Sequence, residues 1–262
     1  MNKIITHSGQ FHMDEILFIS LFEIFFEKEF EIIRTRNKEF IEKNRNKAYI
    51  ADVGMIYDNK YNFDHHQDDS LPAACMLGWN FIKEQLNIDK NRYKKLESFV
   101  LEASLADTQV TMPAEFSASQ MILKLNYLGE QEGFKIAKKI VKNMVISIKK
   151  EDEEIYKAKN ILKSAKKYFN SKLIEFEQFI PSWKYEINGI KTPEIEHVFW
   201  KNNDGNYCLQ AVPKNYDSFE LHGMKLIDCT LPDFLHKKMF FAVFKNKKKL
   251  LEYVEKLYKN KK

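Results

Sequence analysis

Three short apolar segments alternate with two helical patterns in the first fifty residues of this chain, and that alternation restricts its fold most. Lys3–Thr6, Phe30–Arg34 and Ala48–Ala51 have the length and side chains of buried strands. Asp14–Phe26 predicts a helix that is apolar on most sides and therefore buried, and Lys38–Lys43 predicts a shorter one. The order strand, helix, strand, helix, strand is typical of an α/β domain with a parallel sheet.

Helical patterns dominate the middle of the chain, whereas the last third contains more prolines and short strand-like segments. Further helices are predicted at 73–86, 92–106 and 114–128. An apolar stripe then runs from 133 to 169, as one long helix or as two helices broken near 149–153. Beyond it, prolines and short strand-like runs such as 207–212 and 239–245 precede a closing helix at 248–258. We therefore predict a parallel-sheet domain, 1–170, joined by long helices to a smaller α+β domain, 171–262.

Length and composition exclude several classes of protein. A chain of 262 residues with 44% hydrophobic side chains can build a substantial core, which argues against a fibrous or disordered protein. Its three cysteines are far apart, so the sequence predicts neither a disulfide framework nor a thiolate zinc site. The apolar run Ile16–Phe26 is too short to cross a bilayer and lacks the flanks of a signal peptide. We expect a cytoplasmic protein with no membrane association.

The net charge of +5 hides a strong asymmetry. Residues 133–172 and 236–262 each carry +8, which leaves −11 for the remainder of the chain. An acidic body could concentrate cations while a basic face attracts a polyanion. Lysine-rich helix faces are, however, usually no more than solvated surfaces, so the charge alone does not establish a nucleic-acid partner.

Four of the seven histidines lie in the first 66 residues, at points where a predicted strand gives way to a loop. His7 and His12 follow the first strand, Asp52 follows the third, and Asp64-His65-His66 follows the short run Tyr61-Asn62-Phe63. Ligands of open parallel sheets gather beyond the carboxyl ends of the strands. We therefore expect these side chains to meet at one place.

Imidazole and carboxylate groups without a nearby thiolate favour manganese, iron, cobalt or magnesium over structural zinc, while catalytic zinc stays open. Each group alone has a simpler explanation, because a lone aspartate after a strand is often a turn former or a helix cap. The conjunction of four histidines and three aspartates on successive strand ends is what predicts a metal site. Gly9 and Gly54 suit the tight turns beside the ligands.

The motifs resemble a known family. They are Thr-His-x-Gly-x-Phe-His-x-Asp-Glu, Ile-Ile-Arg-Thr-Arg, Asp-Val-Gly-x-x-Tyr-Asp and Phe-Asp-His-His-Gln, in this order. Together they are similar to the melanocyte-proliferating-gene (Myg) exonuclease family, a branch of the DHH phosphoesterase superfamily. The likeness extends more faintly to 103–107, 182–184 and 210–213. Three features depart from the pattern. The spacing of His7, His12 and Asp14 differs from the superfamily's usual His-x(3)-Asp-x-Asp, Met55 stands where the family has glycine, and 239–245 lacks the family's glycine-containing segment.

The resemblance implies two divalent ions, most simply manganese, with magnesium, cobalt or zinc as alternatives. His7, His12 and Asp52 would hold one ion. The other would be held by Asp14, Asp52, His65 and Asp107, so Asp52 would bridge the two. His66 would face the substrate phosphate, and Asp64 would orient its neighbours. Arg34 and Arg36 are further candidates for neutralising phosphate charge, or are simply exposed residues that finish a strand.

The leading hypothesis is a manganese-dependent phosphodiesterase, a 3′-to-5′ exonuclease on RNA or short oligonucleotides that uses a two-metal-activated water. One alternative is a hydrolase of a small phosphorylated molecule such as a nucleotide, a dinucleotide or pyrophosphate. Another is a non-catalytic, metal-containing module that binds nucleic acid. The sequence leaves the oligomeric state open, a homo-oligomer included.

Overall fold

The computed structural model describes residues 2–259, apart from the side chains of Ile161 and Lys163. Within these residues the chain forms two compact units, which divide between Asp152 and Glu153. The sequence pattern placed the domain boundary near residue 170, whereas the division lies inside a helix. The end of the basic C-terminal segment, residues 260–262, lies outside the described residues.

The first unit is an α/β structure built on a small sheet. Its strands are β1 (Lys3–Thr6), β2 (Glu31–Arg34), β3 (Tyr49–Ala51) and β4 (Asn62–Phe63). Its helices are α1 (Met13–Phe25), α2 (Lys38–Asn44), α3 (Ala74–Gln85), α4 (Lys94–Asp107), α5 (Ala118–Lys124) and the first part of α6 (Glu130–Ser164), with a 3₁₀ turn at Leu125–Leu128.

All strand pairs of this sheet are parallel, and the strand order is β2-β1-β3-β4. The predicted parallel α/β arrangement is thus confirmed. Because β2 lies on one side of β1 and β3 on the other, strand order reverses between β1 and β3. The crevice beyond the carboxyl ends of these two strands is where an open α/β sheet places its ligands.

Helix α1 is buried over most of its length, from Met13 to Glu23, as the sequence predicted. Its aromatic side chains form the centre of the core: Phe18 and Phe22 stack with ring centroids 4.1 Å apart. Gly78 of α3 permits close packing here, since a Cβ at that position would lie 2.6 Å from the ring of Phe18. The helix that begins at the predicted ligands is therefore fixed by packing on the sheet and on α3.

One helix begins later than the sequence pattern predicts, and another decides between two predicted alternatives. The helix expected from 114 begins only at Ala118, because the side chain of Ser117 accepts the N–H of Gln120 as an N-cap. The question left open at 149–153 is answered by one continuous helix, α6. Asp152 is buried there because its carboxylate accepts the N–H groups of Lys95 and Leu96 at the start of α4.

The second unit contains a six-stranded sheet with both parallel and antiparallel strand pairs, together with the end of α6 and a C-terminal helix. Its strands are β5 (Lys166–Tyr168), β6 (Leu173–Phe176), β7 (His197–Lys201), β8 (Tyr207–Ala211), β9 (Phe234–Leu235) and β10 (Phe241–Phe244), in the order β5-β6-β7-β8-β10-β9. Among the described strands of this unit, only β6 and β7 pair in parallel. Helix α7 (Lys247–Lys259) packs with its apolar side chains at three- and four-residue steps in the core of this unit. None of the helices within residues 2–259 is both long enough and apolar enough to span a bilayer.

Glu23 of α1 provides a test of how α1 is held against α6. Its buried carboxylate accepts hydrogen bonds from Lys138 Nζ at 2.7 Å and from Lys142 Nζ at 2.8 Å. Burial alone would raise the pKa of Glu23, but the two ammonium groups outweigh it and hold the pKa below its ordinary value. Glu23→Gln should lower the free energy of unfolding by about 1–3 kcal/mol at neutral pH.

A group with a depressed pKa stabilises the fold above its unfolded pKa and loses that contribution as pH falls through the folded value. The difference between wild type and Glu23→Gln should therefore shrink below about pH 4.3, where the unfolded glutamate protonates. Urea unfolding, followed by circular dichroism at several pH values, measures this difference in the free energy of unfolding. Glu255→Gln, at an exposed pair with Lys259, is the matched control and should change little. A Glu23→Gln difference that is independent of pH would contradict this interpretation.

Candidate metal centre

The predicted ligands meet at the switch point of the parallel sheet. His7 follows β1, Asp52 follows β3 and His65 follows β4, so three neighbouring strand ends direct their side chains to one crevice. The crevice is a cavity of about 590 Å³. Its lining includes His7, His12, Arg36, Asp52, His65, His66 and Asp107, together with Thr108, Gln109, Ser119 and Gln120, which the sequence analysis did not single out. All of its lining residues belong to the first unit.

One group of potential ligands lies where β1 meets α1. Its members are His7, His12, Glu15 and Asp52, whose ligand atoms all lie within 4.8 Å of one another. His7 Nε2 is 3.1 Å from Asp52 Oδ2 and 3.3 Å from Glu15 Oε1. The arrangement brings together His7, His12 and Asp52, the three residues expected at the first ion.

A second group contains Asp14, Asp52, His65 and Asp107, the four residues expected at the second ion. His65 Nε2 is 3.4 Å from Asp107 Oδ2, and His65 Nδ1 is 3.9 Å from Asp52 Oδ1. Asp14 is fully buried, and its carboxylate accepts the N–H groups of Ala74 and Cys75 at the start of α3. Those two bonds orient Asp14 from a helix N-terminus, which favours negative charge.

Asp52 belongs to both groups, and also to a third that contains Asp64, His65 and His66. Its backbone has φ of 56°, a left-handed conformation that residues other than glycine rarely adopt. Asp52 Oδ1 and His65 Nδ1 are buried and have no hydrogen-bond partner among the described residues. Buried polar atoms are costly unless they are satisfied. The donor set of imidazole and carboxylate groups, with two such atoms unsatisfied, fits a divalent cation.

Burial and the neighbouring charges shift the pKa values of several groups in the centre. Burial, reinforced by the charge of Asp107, raises the pKa values of Asp14 and Asp52 well above their ordinary range. Burial, reinforced by Asp52, does the same for Glu15. The pKa of His7 falls to about 4, first through burial and then through Arg36 and Arg34. A neutral imidazole has a lone pair to offer, and a bound cation would relieve the repulsion among the carboxylates.

His66 and Asp64 form a hydrogen-bonded pair at the edge of the cavity. His66 Nδ1 is 2.6 Å from Asp64 Oδ1, while about half of the His66 side chain is exposed. Asp64 is buried and also accepts the N–H of Met55 at 2.5 Å. Burial opposes protonation of His66, yet the hydrogen bond to Asp64 and the neighbouring carboxylates raise its pKa. The pair therefore orients the His66 imidazole at the cavity and favours its protonated form.

The two candidate arginines differ in position. Arg36 lines the cavity, where its Nε donates to Ser8 O at 3.0 Å and its Nη2 lies 3.1 Å from His7 Nδ1. The guanidinium of Arg34 does not belong to the described cavity lining. It donates to Glu130 Oε1 at 2.9 Å and to Gly9 O at 2.8 Å.

Glu15 is the site residue that the ligand assignment missed. It is fully buried and occupies the third position of α1, where its carboxylate accepts the N–H of His12 in a capping box. A signal was available in the sequence, since an acid three residues after His12 has capping-box spacing. Within the buried helix that follows, such a residue needs a polar partner, and His7 supplies one.

Comparison with known proteins adds to this geometry. Residues 3–72, which contain both histidine motifs and Asp52, match the MYG1 exonuclease family model, described as an uncharacterised protein family (UPF0160). Over this segment the chain is similar to the MYG1 family. The MYG1 protein of Dictyostelium discoideum is 28% identical over a 269-residue alignment that covers 83% of this chain and 80% of that protein.

Two further proteins that this chain resembles carry the name MYG1 exonuclease. The Bos taurus protein is 25% identical over a 272-residue alignment, which covers 83% of this chain and 71% of that protein. The Homo sapiens protein is 40% identical over 67 residues, 25% of this chain and 17% of that protein. Similarity is therefore strongest in a short segment and weaker across the rest of the chain.

Metal binding at this centre should be visible in thermal unfolding. A cation that binds only the folded state adds about 2.7 kcal/mol at a free concentration one hundred times its Kd. Mn²⁺ should therefore raise the unfolding midpoint of the wild type by several degrees. Asp52→Asn should abolish the rise without unfolding the protein, because asparagine tolerates a left-handed backbone.

Differential scanning calorimetry with and without Mn²⁺ makes the measurement. Asp204→Asn, in an exposed loop of the second unit, serves as the control and should keep the full rise. If Asp52→Asn retains the Mn²⁺-dependent rise, the assignment of Asp52 as a ligand is wrong.

Proposed function

We propose that this chain is a metal-dependent phosphodiesterase of the DHH superfamily that acts as a 3′-to-5′ exonuclease on RNA or short oligonucleotides. The observation that carries the proposal is the sharing of Asp52 between two ligand groups in one cavity. A carboxylate between two such groups is what a two-ion hydrolytic site requires. The names of the bovine and human relatives support a nuclease.

The ligand assignment follows from the groups described above. His7, His12 and Asp52, now with Glu15, would hold one ion, and Asp14, Asp52, His65 and Asp107 would hold the other. Manganese suits these mixed nitrogen and oxygen ligands, with magnesium, cobalt and zinc as alternatives. When bound, such ions lower the pKa of a water molecule and neutralise charge on the phosphate.

The remaining chemistry belongs to residues of the chain. Hydrolysis joins a water oxygen to phosphorus and breaks the bond to the leaving 3′ oxygen, which takes up a proton. His66 would face a phosphate oxygen with its Nε2 edge, because its Nδ1 edge is held by Asp64. Arg36 would add a second positive charge at the cavity. Both groups would stabilise negative charge as it accumulates on the phosphate in the transition state.

The basic segments contribute less free positive charge than the sequence suggests. Lys138 and Lys142 bind Glu23, Lys247 binds Glu175, and Lys259 binds Glu255. These ion pairs favour the solvated-surface interpretation for part of each segment. The charge of these segments therefore does not distinguish a polyanionic substrate from a small one, and the salt dependence of KM has to do so.

Activity is tested with purified chain, Mn²⁺ and a 5′-labelled single-stranded RNA. A 3′-to-5′ exonuclease should give a ladder of progressively shorter labelled products. Asp52→Asn should reduce the rate by more than about a hundredfold, because even residues behind the ligands typically cost 10–100-fold. The Asp204→Asn control should cleave like wild type. Metal binding without cleavage of any nucleic acid would contradict the exonuclease proposal.

Salt dependence separates the alternatives. If several lysines engage an RNA strand, its KM should rise steeply between 50 and 200 mM salt, whereas the KM of a dinucleotide should change little. Turnover of the dinucleotide alone would favour the small-substrate hydrolase. RNA binding with metal content but no turnover of either substrate would favour the non-catalytic module.

A further inference from the structure

The loop between the two histidine ligands is held almost entirely by side chains from elsewhere in the first unit. We define residues 7–12 as the histidine loop. Side chains bind its backbone at Ser8 O, Gly9 N, Gly9 O, Phe11 N, Phe11 O and His12 N. The partners are Arg36, Glu130, Arg34, Asn126 and Glu15. A loop without secondary structure is normally mobile unless its backbone groups are satisfied in this way.

Asn126 makes the most specific of these contacts. Its Oδ1 accepts the N–H of Phe11 at 3.0 Å, and its Nδ2 donates to Phe11 O at 2.9 Å, so one amide satisfies both backbone groups of one residue. The same Nδ2 donates to Leu123 O at 2.8 Å. Leu123 lines the cavity, so Asn126 connects the histidine loop to the cavity wall.

Close packing fixes the position of Asn126. It lies in the 3₁₀ turn Leu125–Leu128, which ends at Gly129 with φ of 91°. Gly133 of α6 packs directly beneath: a Cβ there would lie 2.2 Å from Leu125 O and 3.1 Å from the ring of Phe11. The turn and the histidine loop are thus held at a separation that only glycine at 133 permits.

Arg34 and Glu130 fix the other end of the loop. Glu130 Oε1 accepts the N–H of Gly9 at 2.8 Å, and the guanidinium of Arg34 bridges Glu130 and Gly9 O. The guanidinium also lies over the ring of Phe134, 4.5 Å from its centroid. Because Gly9 has φ of 96°, its backbone has little intrinsic preference for the conformation seen, and these contacts select it.

We propose that Asn126, together with the Arg34–Glu130 pair, positions the histidine loop so that His7 and His12 can bind one divalent ion. None of the three side chains belongs to a ligand group of the centre described above. Ligands must be held within about 0.5 Å of a productive geometry, which is what a rigid backbone between them provides. This inference rests on the proposed metal-dependent function and assigns Arg34 a positioning role.

Asn126→Asp is the informative substitution. The aspartate keeps an oxygen for the N–H of Phe11 but replaces the Nδ2 donor with an oxygen that faces two carbonyl groups. An added negative charge near the centre would by itself strengthen cation binding. A loss of metal affinity would therefore report the lost positioning and not the changed charge.

The experiment is a Co²⁺ titration of the full chain, followed by visible absorption, with Mn²⁺-dependent kcat and KM measured in parallel. Asn126→Asp should weaken Co²⁺ binding by about 10–100-fold and alter the absorption spectrum. Asn143→Asp is the matched control, because Asn143 also donates to a backbone carbonyl but lies on the exposed side of α6. It should bind Co²⁺ like wild type.

A second variant tests the same role if Asn126→Asp does not fold. Arg34→Lys keeps the positive charge but cannot bridge Glu130 and Gly9 O with a planar fork, so it should also weaken Co²⁺ binding. If Asn126→Asp folds and its Co²⁺ affinity and spectrum are unchanged, the positioning role is wrong. If Asn126→Asp does not fold, the same result in Arg34→Lys would overturn the positioning role. Neither result would affect the proposed metal-dependent function. A wild-type chain that binds no Co²⁺ would overturn the proposed metal-dependent function as well.

Discussion

The buried carboxylate of Asp52 is the group that the potential ligand sets of the first unit share. It belongs to three groups of histidine and acidic side chains that could bind a cation, and one of its oxygens has no hydrogen-bond partner among the described residues. Its backbone is held in a left-handed conformation. Asp107 and burial both oppose its ionisation. Such a concentration of carboxylates is unfavourable in an apolar interior unless a cation balances it, so the site is built for positive charge.

The topology of the sheet supplies this arrangement. The order β2-β1-β3-β4 puts the ends of β1, β3 and β4 side by side, and each end carries potential metal ligands. Helix α1 starts immediately after the histidine loop and presents Asp14 and Glu15 in its first turn. The positive end of the helix dipole lies in that turn, which favours both carboxylates. A heavily aromatic core then fixes α1 in place, so the geometry of the ligands depends on packing at Phe18 and Phe22.

The sequence predicted the strands, the buried helix and the side chains that meet in the cavity because each leaves a local signal. Short apolar runs predict strands, and polar residues at their ends predict a site by the rule for parallel sheets. The start of α5 was missed because its N-cap, Ser117, lies within a segment that has helical composition throughout. The contacts of Arg34 could not be predicted in the same way, since its partner Glu130 is 96 positions away in the chain. Long-range pairing of this kind depends on tertiary packing, which no local pattern records.

If Asp52 is shared by two ions of a divalent metal centre, both ions will be visible in an anomalous difference map, recorded at the manganese absorption edge from crystals grown with Mn²⁺. Anomalous density is expected at two positions, one beside His7 and Asp52 and one beside His65 and Asp52. Density at neither position, in a crystal where the side chains of the centre are ordered as described, would contradict this role of Asp52.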